Sequence, residues 1–379
     1  MTIEIFLNLL FSLSLSGSLL FLIWRIASPY LKKFFSQRVQ YFLLLIVLFR
    51  FILPVSARYS LIGSFYPFVE STSVYELIFG KGNSASQIIV GENVVIGNNV
   101  VLGSVRTPVE KYIAIIWLLV TLFLIVQKVT KYQSFVKYIK ANWTPVDDPK
   151  LLDLLSTICE EKKITAPVEL YTTPLVSSPL LLGIRKSSIV LPHTNLTETQ
   201  LRHILTHELS HLKSKDILYK WFMQLILCLH WFNPLVYAIS KTVNRECEYA
   251  CDEASTRGLT KEERYDYGMT LIEMTKHPGK YTEKTAAVTL YENPNEIQRR
   301  LQVMLSFQQL RPRNAMAVIF ISLFMIALAI FIGSYSLFPR TEVQAVITNE
   351  IQNESANSYL NNSTAPSVGR PFIYSPVER

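Results

Sequence analysis

His207-Glu208-Leu209-Ser210-His211 is the stretch that decides how this chain folds and what it can do. On a helix, residues four apart stand one above the other, so both imidazoles can bind one ion. Glu208 then projects beside the open coordination position, where a carboxylate can take a proton from water. The spacing implies Zn2+ as the cofactor. A solvated helix carrying two surface histidines is the plainer alternative, and a chain with only six histidines seldom forms this pattern by chance.

The residues around the motif read as a packed scaffold. Thr197-Glu198-Thr199-Gln200 is a capping box, so the helix begins close to Glu198. Leu201, Leu205, Leu209 and Leu212 line one side of it and can bury that side. Upstream, Val168–Thr173 and Leu180–Pro192 are short apolar or β-branched runs that predict strands, the second broken at Gly183-Ile184-Arg185-Lys186. Ser187–Leu191 could present a sheet edge to an extended peptide.

A catalytic zinc usually takes three protein ligands plus water, so two histidines are incomplete. Downstream, Asn233-Pro234 is an N-cap followed by Pro at the first helical position, and it starts a run through Glu246, Glu248, Asp252 and Glu253. Glu248 and Asp252 share a face, so one carboxylate can bind metal while the other orients a histidine. Spacing alone does not choose Glu248 over Glu246 or Glu253. Cys247 and Cys251, also four apart, could mimic a thiolate site, although such a helix pairs more naturally with a carboxylate. His203 and Tyr249 are geometric candidates for stabilising an oxyanion.

Composition points to a membrane protein. Half of the 379 residues are apolar and only 17% are charged, and mean hydropathy is positive. The formal charge of +8 sits at the ends of apolar runs, which suits lipid headgroups and argues against direct nucleic-acid binding. The four cysteines lie mid-chain and imply no disulfide framework. Four stretches are expected to cross a bilayer: Ile5–Trp24, Val39–Val55, Val109–Gln127 and Ala315–Leu337. Arg25, Lys32, Lys33 and Arg38 follow the first, and Lys128, Lys131, Lys137 and Lys140 follow the third. The positive-inside rule places these in the cytoplasm and both termini outside. Arg50 is read as snorkelling to the nearer interface. Ile217–Ile239 is apolar but holds Lys220, His230 and the Asn233-Pro234 break, and so predicts a membrane-associated helical hairpin.

The motif, Trp231-Phe232-Asn233-Pro234-Leu235-Val236 and Glu248-Tyr249-Ala250-Cys251-Asp252 together resemble the BlaR/MecR family of antirepressor membrane zinc metallopeptidases. The resemblance covers about residues 1–340. It implies Glu248 as third zinc ligand, Asp252 behind the ligands, a protease facing the cytoplasm, a repressor as substrate, and a homodimer. The pattern departs from the sensor members after the last span, where Pro339–Arg379 carries no Ser-x-x-Lys nucleophile motif and no penicillin-binding sensor domain is expected.

The expected fold is therefore an α-helical integral membrane protein with a cytoplasmic α+β zincin (gluzincin-like) metalloprotease domain. Residues 1–56 hold two transmembrane helices with a short cytoplasmic loop, 57–108 an extracellular loop, and 109–127 the third span. Residues 128–313 form the protease domain with its hairpin at 217–239, 314–337 the fourth span, and 338–379 a disordered outer tail. Within 57–108, the six-residue period Val90-Gly91-Glu92-Asn93-Val94-Val95, Ile96-Gly97-Asn98-Asn99-Val100-Val101 is too short for a β-helix and predicts a hairpin with glycine-bearing turns. Thr275–Pro294 is a candidate hinge, and the connector through Arg313 a place for self-cleavage. The expected enzyme is a zinc endopeptidase with Glu208 as base and His207, His211 and Glu248 as ligands. Its partners are the bilayer and a cytoplasmic protein, namely a repressor, the chain itself, or both. A constitutive quality-control protease of the HtpX type and a catalytically silent receptor or scaffold are the rival readings.

Overall fold

The computed structural model describes residues 3–57, 60–72, 75, 87–96, 99–183, 186–193, 196–275, 294–305 and 315–335. In chain order the elements begin with helices α1 (Ile3–Phe34), α2 (Gln37–Arg50) and α3 (Leu61–Glu70), then strands β1 (Gln87–Ile96) and β2 (Asn99–Pro108). Helix α4 (Val109–Lys140), β3 (Thr144–Pro145), α5 (Pro149–Lys162), β4 (Val168–Thr173), β5 (Leu180–Leu182) and β6 (Ser187–Pro192) follow. The motif helix α6 (Glu198–Ser214) leads to α7 (Asp216–Leu229), α8 (Pro234–Ser255), α9 (Lys261–Thr275), α10 (Pro294–Leu305) and α11 (Ala315–Ile332).

Among the described residues, α1 and α4 are the two helices long and apolar enough to cross a membrane. Each has 32 residues, about 48 Å at 1.5 Å per residue. The expected second and fourth stretches are helical over shorter lengths. Helix α2 stops at Arg50, where Phe51 N–H folds back to Leu48 O. Pro54 then disfavours helical backbone at the residue before it. Helix α11 stops at Ile332 because Gly333 takes a left-handed φ of +69°, a common way to end a helix. Arg50 corrects the snorkelling reading. It is 4% exposed and donates to Ser16 Oγ at 2.5 Å and Leu53 O at 2.6 Å. A buried guanidinium is held by whatever acceptors its own bundle offers.

Residues of α1, α2, α7, α8 and α11 share one apolar core, including Leu20, Leu44, Met223, Ile239 and Met325. Helices α7 and α8, which follow the motif helix, are therefore built into the apolar bundle. The break at Asn233 is where they dock. Its Oδ1 accepts from Leu235 N, and its Nδ2 donates to Ser14 Oγ and Ser18 Oγ of α1, both at 2.8 Å. Over the stretch read as a helical hairpin the chain forms the two helices α7 and α8, divided at residues 230–233. Trp117 Nε1 of α4 donates to Leu229 O at the end of α7.

A mixed sheet ordered β3-β4-β6-β5 lies beside the motif helix. β4 runs parallel to β6, and β5 runs antiparallel to it. Side chains alternate across β6: Ile189 and Leu191 join Leu205 and Leu209 of α6, while Val190 joins Phe135 and Ile139 of α4. β6 pairs on both sides, so Ser187–Leu191 is a central strand and not the edge expected from sequence. The edge beside it is β5. Its turn needs Gly183, whose φ is +88° and whose absent Cβ would stand 2.0 Å from Lys186 O. β1 and β2 form an antiparallel hairpin in register Gln87↔Pro108 to Ile96↔Asn99. Residues 97–98, the interior of the expected hinge Thr275–Pro294 and the expected tail at 338–379 lie outside the described residues.

The capping box is formed as read: Gln200 N donates to Thr197 Oγ1, and Thr197 N donates to Gln200 Oε1 at 2.9 Å. Leu205→Ala, at a fully buried position, should cost about 2–5 kcal/mol. Thr197→Ala should cost about 1 kcal/mol. Thermal unfolding of the purified protein should rank them in that order.

Candidate metal centre

Helix α6 ends at Ser214, and Lys215 follows in left-handed conformation at φ 57°. That turn folds the start of α7 back onto the last turn of α6. Asp216 thereby reaches His211: its Oδ2 lies 2.8 Å from His211 Nδ1. Helix α8 comes from the other direction and lays its polar face against the motif.

Three atoms converge. His207 Nε2 and His211 Nε2 are 3.1 Å apart. Glu248 Oε2 lies 3.4 Å from the first and 3.6 Å from the second. Tetrahedral bonds of about 2.0–2.1 Å place ligand atoms about 3.3 Å from one another, so the triangle has the size of one face of a zinc tetrahedron. The two other carboxylates left open by spacing point elsewhere. Glu246 is fully buried against Lys32 Nζ at 2.8 Å, and Glu253 Oε2 accepts from Gln37 N and Arg38 N of α2. Glu208 sits on α6 at 7% exposure, between the two histidines in sequence.

The outer nitrogens have their own partners. His207 Nδ1 is 2.9 Å from Tyr267 Oη, which donates to Asp252 Oδ1 at 2.8 Å. Asp252 is gripped by Arg300 of α10, Nε to Oδ2 at 2.8 Å and Nη2 to Oδ1 at 2.7 Å. Acceptors at both Nδ1 atoms keep protons there and leave both Nε2 lone pairs facing Glu248. Two lone pairs at 3.1 Å repel unless a cation or a proton lies between them, and the donor set therefore fits a metal ion.

The charges around this triangle are large. Burial disfavours protonated imidazole, yet Asp252 and Glu248 beside His207 outweigh it and raise its pKa above the ordinary histidine value. His211 rises well above that value, against burial, because of Glu248 and Asp216. Burial would raise Glu248, but His211 and His207 hold its carboxyl well below the usual range. Arg300 does the same for Asp252 against its burial.

The thiols occupy the far side of His211. Cys251 Sγ lies 3.2 Å and Cys247 Sγ 3.8 Å from Nδ1, on the side away from the triangle. His203 turns its Nδ1 to Thr270 Oγ1 at 3.0 Å, and Lys32 lies over the Tyr249 ring. Sequence reading missed Asp216, Tyr267 and Arg300. Only Asp216, five residues beyond His211 and next to a helix end, carried a local signal.

Residues 8–304 match the BlaR1 peptidase M56 family, and the chain belongs to that family. The regulatory protein BlaR1 of Bacillus licheniformis is 32% identical over 176 residues, which is 46% of this chain and 29% of that protein. The methicillin resistance mecR1 protein of Staphylococcus aureus is 25% identical over 142 residues, 37% of this chain and 24% of that protein. The matched stretch thus spans less than a third of the length of either relative.

Metal binding must displace the protons that the raised histidine pKa values retain. Zinc affinity of the purified protein should therefore fall as pH drops through neutrality and rise as pH climbs past those values, in titration calorimetry. Glu248→Gln should abolish stoichiometric binding, Asp216→Asn should weaken it about 10–100-fold, and Glu246→Gln should leave one ion bound.

Proposed function

We propose that this M56 family member is a membrane-embedded zinc endopeptidase that cleaves cytoplasmic protein: a transcriptional repressor, itself, or both. The observation that supports it most is the convergence of His207 Nε2, His211 Nε2 and Glu248 Oε2 beside a buried Glu208. Helices α1 and α4 support the membrane setting. Both end in basic turns, Lys32 and Lys33 in one and Lys137 and Lys140 in the other, which suits a cytoplasmic face.

In this reading His207, His211 and Glu248 hold the ion, and Asp252 and Asp216 fix the two rings. The chemistry a bound zinc supplies is Lewis acidity toward a peptide carbonyl and toward water. Glu208 takes the proton of the attacking water and returns it to the departing amine. Tyr267 and Asp216 hold the Nδ1 protons throughout, so the imidazoles keep their Nε2 lone pairs for the ion. Arg300 and Lys220 offset the carboxylates; Lys220 Nζ lies 3.5 Å from Glu248 Oε1. β5, an edge strand among the described residues, is the strand on which an extended substrate would add main-chain hydrogen bonds.

The test compares protein N-termini in cells expressing this chain or its Glu208→Gln variant. New termini in a repressor or in residues 275–313, present only with Glu208 intact, are expected. Identical profiles under several envelope stresses would leave a metal-binding receptor instead. Removing the β1–β2 hairpin should abolish a stress response but would spare a constitutive quality-control protease of the HtpX type.

A further inference from the structure

Beyond the ligands lies a line of buried contacts that leaves the peptidase helices and enters α2. Asp216 uses both of its oxygens. Oδ2 takes the His211 Nδ1 proton at 2.8 Å, and Oδ1 accepts from Tyr41 Oη at 3.0 Å. Tyr41, Asp216 and His211 are 3%, 2% and 9% exposed, so water is a poor substitute for either bond. Tyr41 is itself gripped. Its ring meets Tyr219 edge-on at 4.4 Å between centroids, and its carbonyl accepts from Tyr219 Oη at 3.2 Å.

A second set of contacts fastens the same end of α2 to the ligand-bearing helix α8. The first-turn amides of Gln37 and Arg38 donate to Glu253 Oε2 at 2.6 and 3.3 Å. Just before α2, Lys32 pairs with Glu246 at 2.8 Å. Glu246 and Glu253 bracket Glu248 and Asp252 along α8, so the end of α1 and the start of α2 are tied to this helix on either side of the third candidate ligand. A helix of 14 residues is about 21 Å long. Its other end leads toward α3 and the β1–β2 hairpin.

We propose that Tyr41 is a positioning residue for the metal centre, and that through it the position of α2 sets the orientation of His211. The inference rests on the zinc reading given above. With the hydroxyl in place, Tyr41 holds Asp216 Oδ1 while His211 Nδ1 and Cys251 Sγ meet Oδ2, and the His211 ring is oriented by this carboxylate. Without the hydroxyl, Oδ1 is a buried acceptor short of a donor, and the carboxylate turns to find another. A shift of α2 that lengthens the 3.0 Å Tyr41–Asp216 contact by about half an ångström would have the same effect, because hydrogen bonds weaken steeply beyond about 3.5 Å. The outer end of the chain could then act on the metal without any contact to substrate.

The test uses the full-length protein in detergent micelles with Co2+ as the probe, since its visible spectrum reports ligand geometry. Tyr41→Phe keeps the ring against Tyr219 and removes only the hydroxyl. It should still bind one Co2+, with affinity lowered about tenfold, the lower end of the range for groups that orient a ligand, and with a shifted visible spectrum. Asp216→Asn should shift the spectrum further, and adding Tyr41→Phe to it should change nothing more. Tyr219→Phe, which removes the bond to the Tyr41 carbonyl but leaves the line to Asp216, should lower the unfolding temperature with the spectrum unmoved. Glu253→Ala, which frees the first turn of α2 without touching Tyr41, should give a smaller shift of the same kind and serves if Tyr41→Phe does not accumulate.

Wild-type spectra and affinity in both Tyr41→Phe and Glu253→Ala, beside a shifted Asp216→Asn, would overturn this inference alone. Absence of Co2+ binding by the unaltered protein would remove the zinc reading and this inference together.

Discussion

Two imidazole Nε2 atoms and a carboxylate oxygen face one another across 3.1 to 3.6 Å in a largely buried space. Such an arrangement is electrostatically unstable without a positive charge at its centre, and much of the surrounding structure can be understood as its support. Asp216 and the Tyr267–Asp252 pair keep protons on the outer nitrogens, so the inner ones stay available. Arg300 and Lys220 then keep the accumulated carboxylate charge tolerable. Removal of Arg300 would leave the Asp252 carboxylate buried without its ion partner, which costs about 3–5 kcal/mol.

Holding that triangle requires parts that are far apart in the chain. Helix α6 brings the histidines, a left-handed residue at Lys215 returns Asp216 to them, and α8 supplies the carboxylate. α8 serves two environments. Val236, Ile239, Val243, Cys247 and Ala250 belong to the core shared with α1, α2 and α11, whereas Glu248 and Asp252 face the histidines. The ligand helix is therefore a structural part of the apolar bundle, and the two cannot be rearranged independently.

Local features of the fold were legible in the sequence because they depend on neighbours within a turn or two. The capping box at Thr197 and the Asn233-Pro234 start of α8 follow from side chains bonding their own backbone and from a fixed φ angle, and β4 and the break in the β5–β6 run from the local pattern of apolar, β-branched and glycine residues. Longer-range order was not. Ser187–Leu191 has the pattern of a strand, but nothing in it says whether one neighbour or two will pair with it. Arg50 lies in an apolar run, and only the packed bundle reveals that Ser16 and a nearby carbonyl hold it inside.

The metal centre divides in the same way. His207 and His211 are one helical turn apart, so sequence alone determined that they share a face and that Glu208 lies beside them. Spacing could offer Glu246, Glu248 or Glu253 as the third partner, because on a helix all three lie within reach of one flank or another. The tertiary structure separated them through what surrounds each: Lys32 claims Glu246, the amides of α2 claim Glu253, and Glu248 remains for the histidines. Arg300, 48 residues from Asp252, and Tyr41, 175 residues from Asp216, could be recognised only once the chain had folded. Contacts over such separations are set by packing, not by any local period of the backbone.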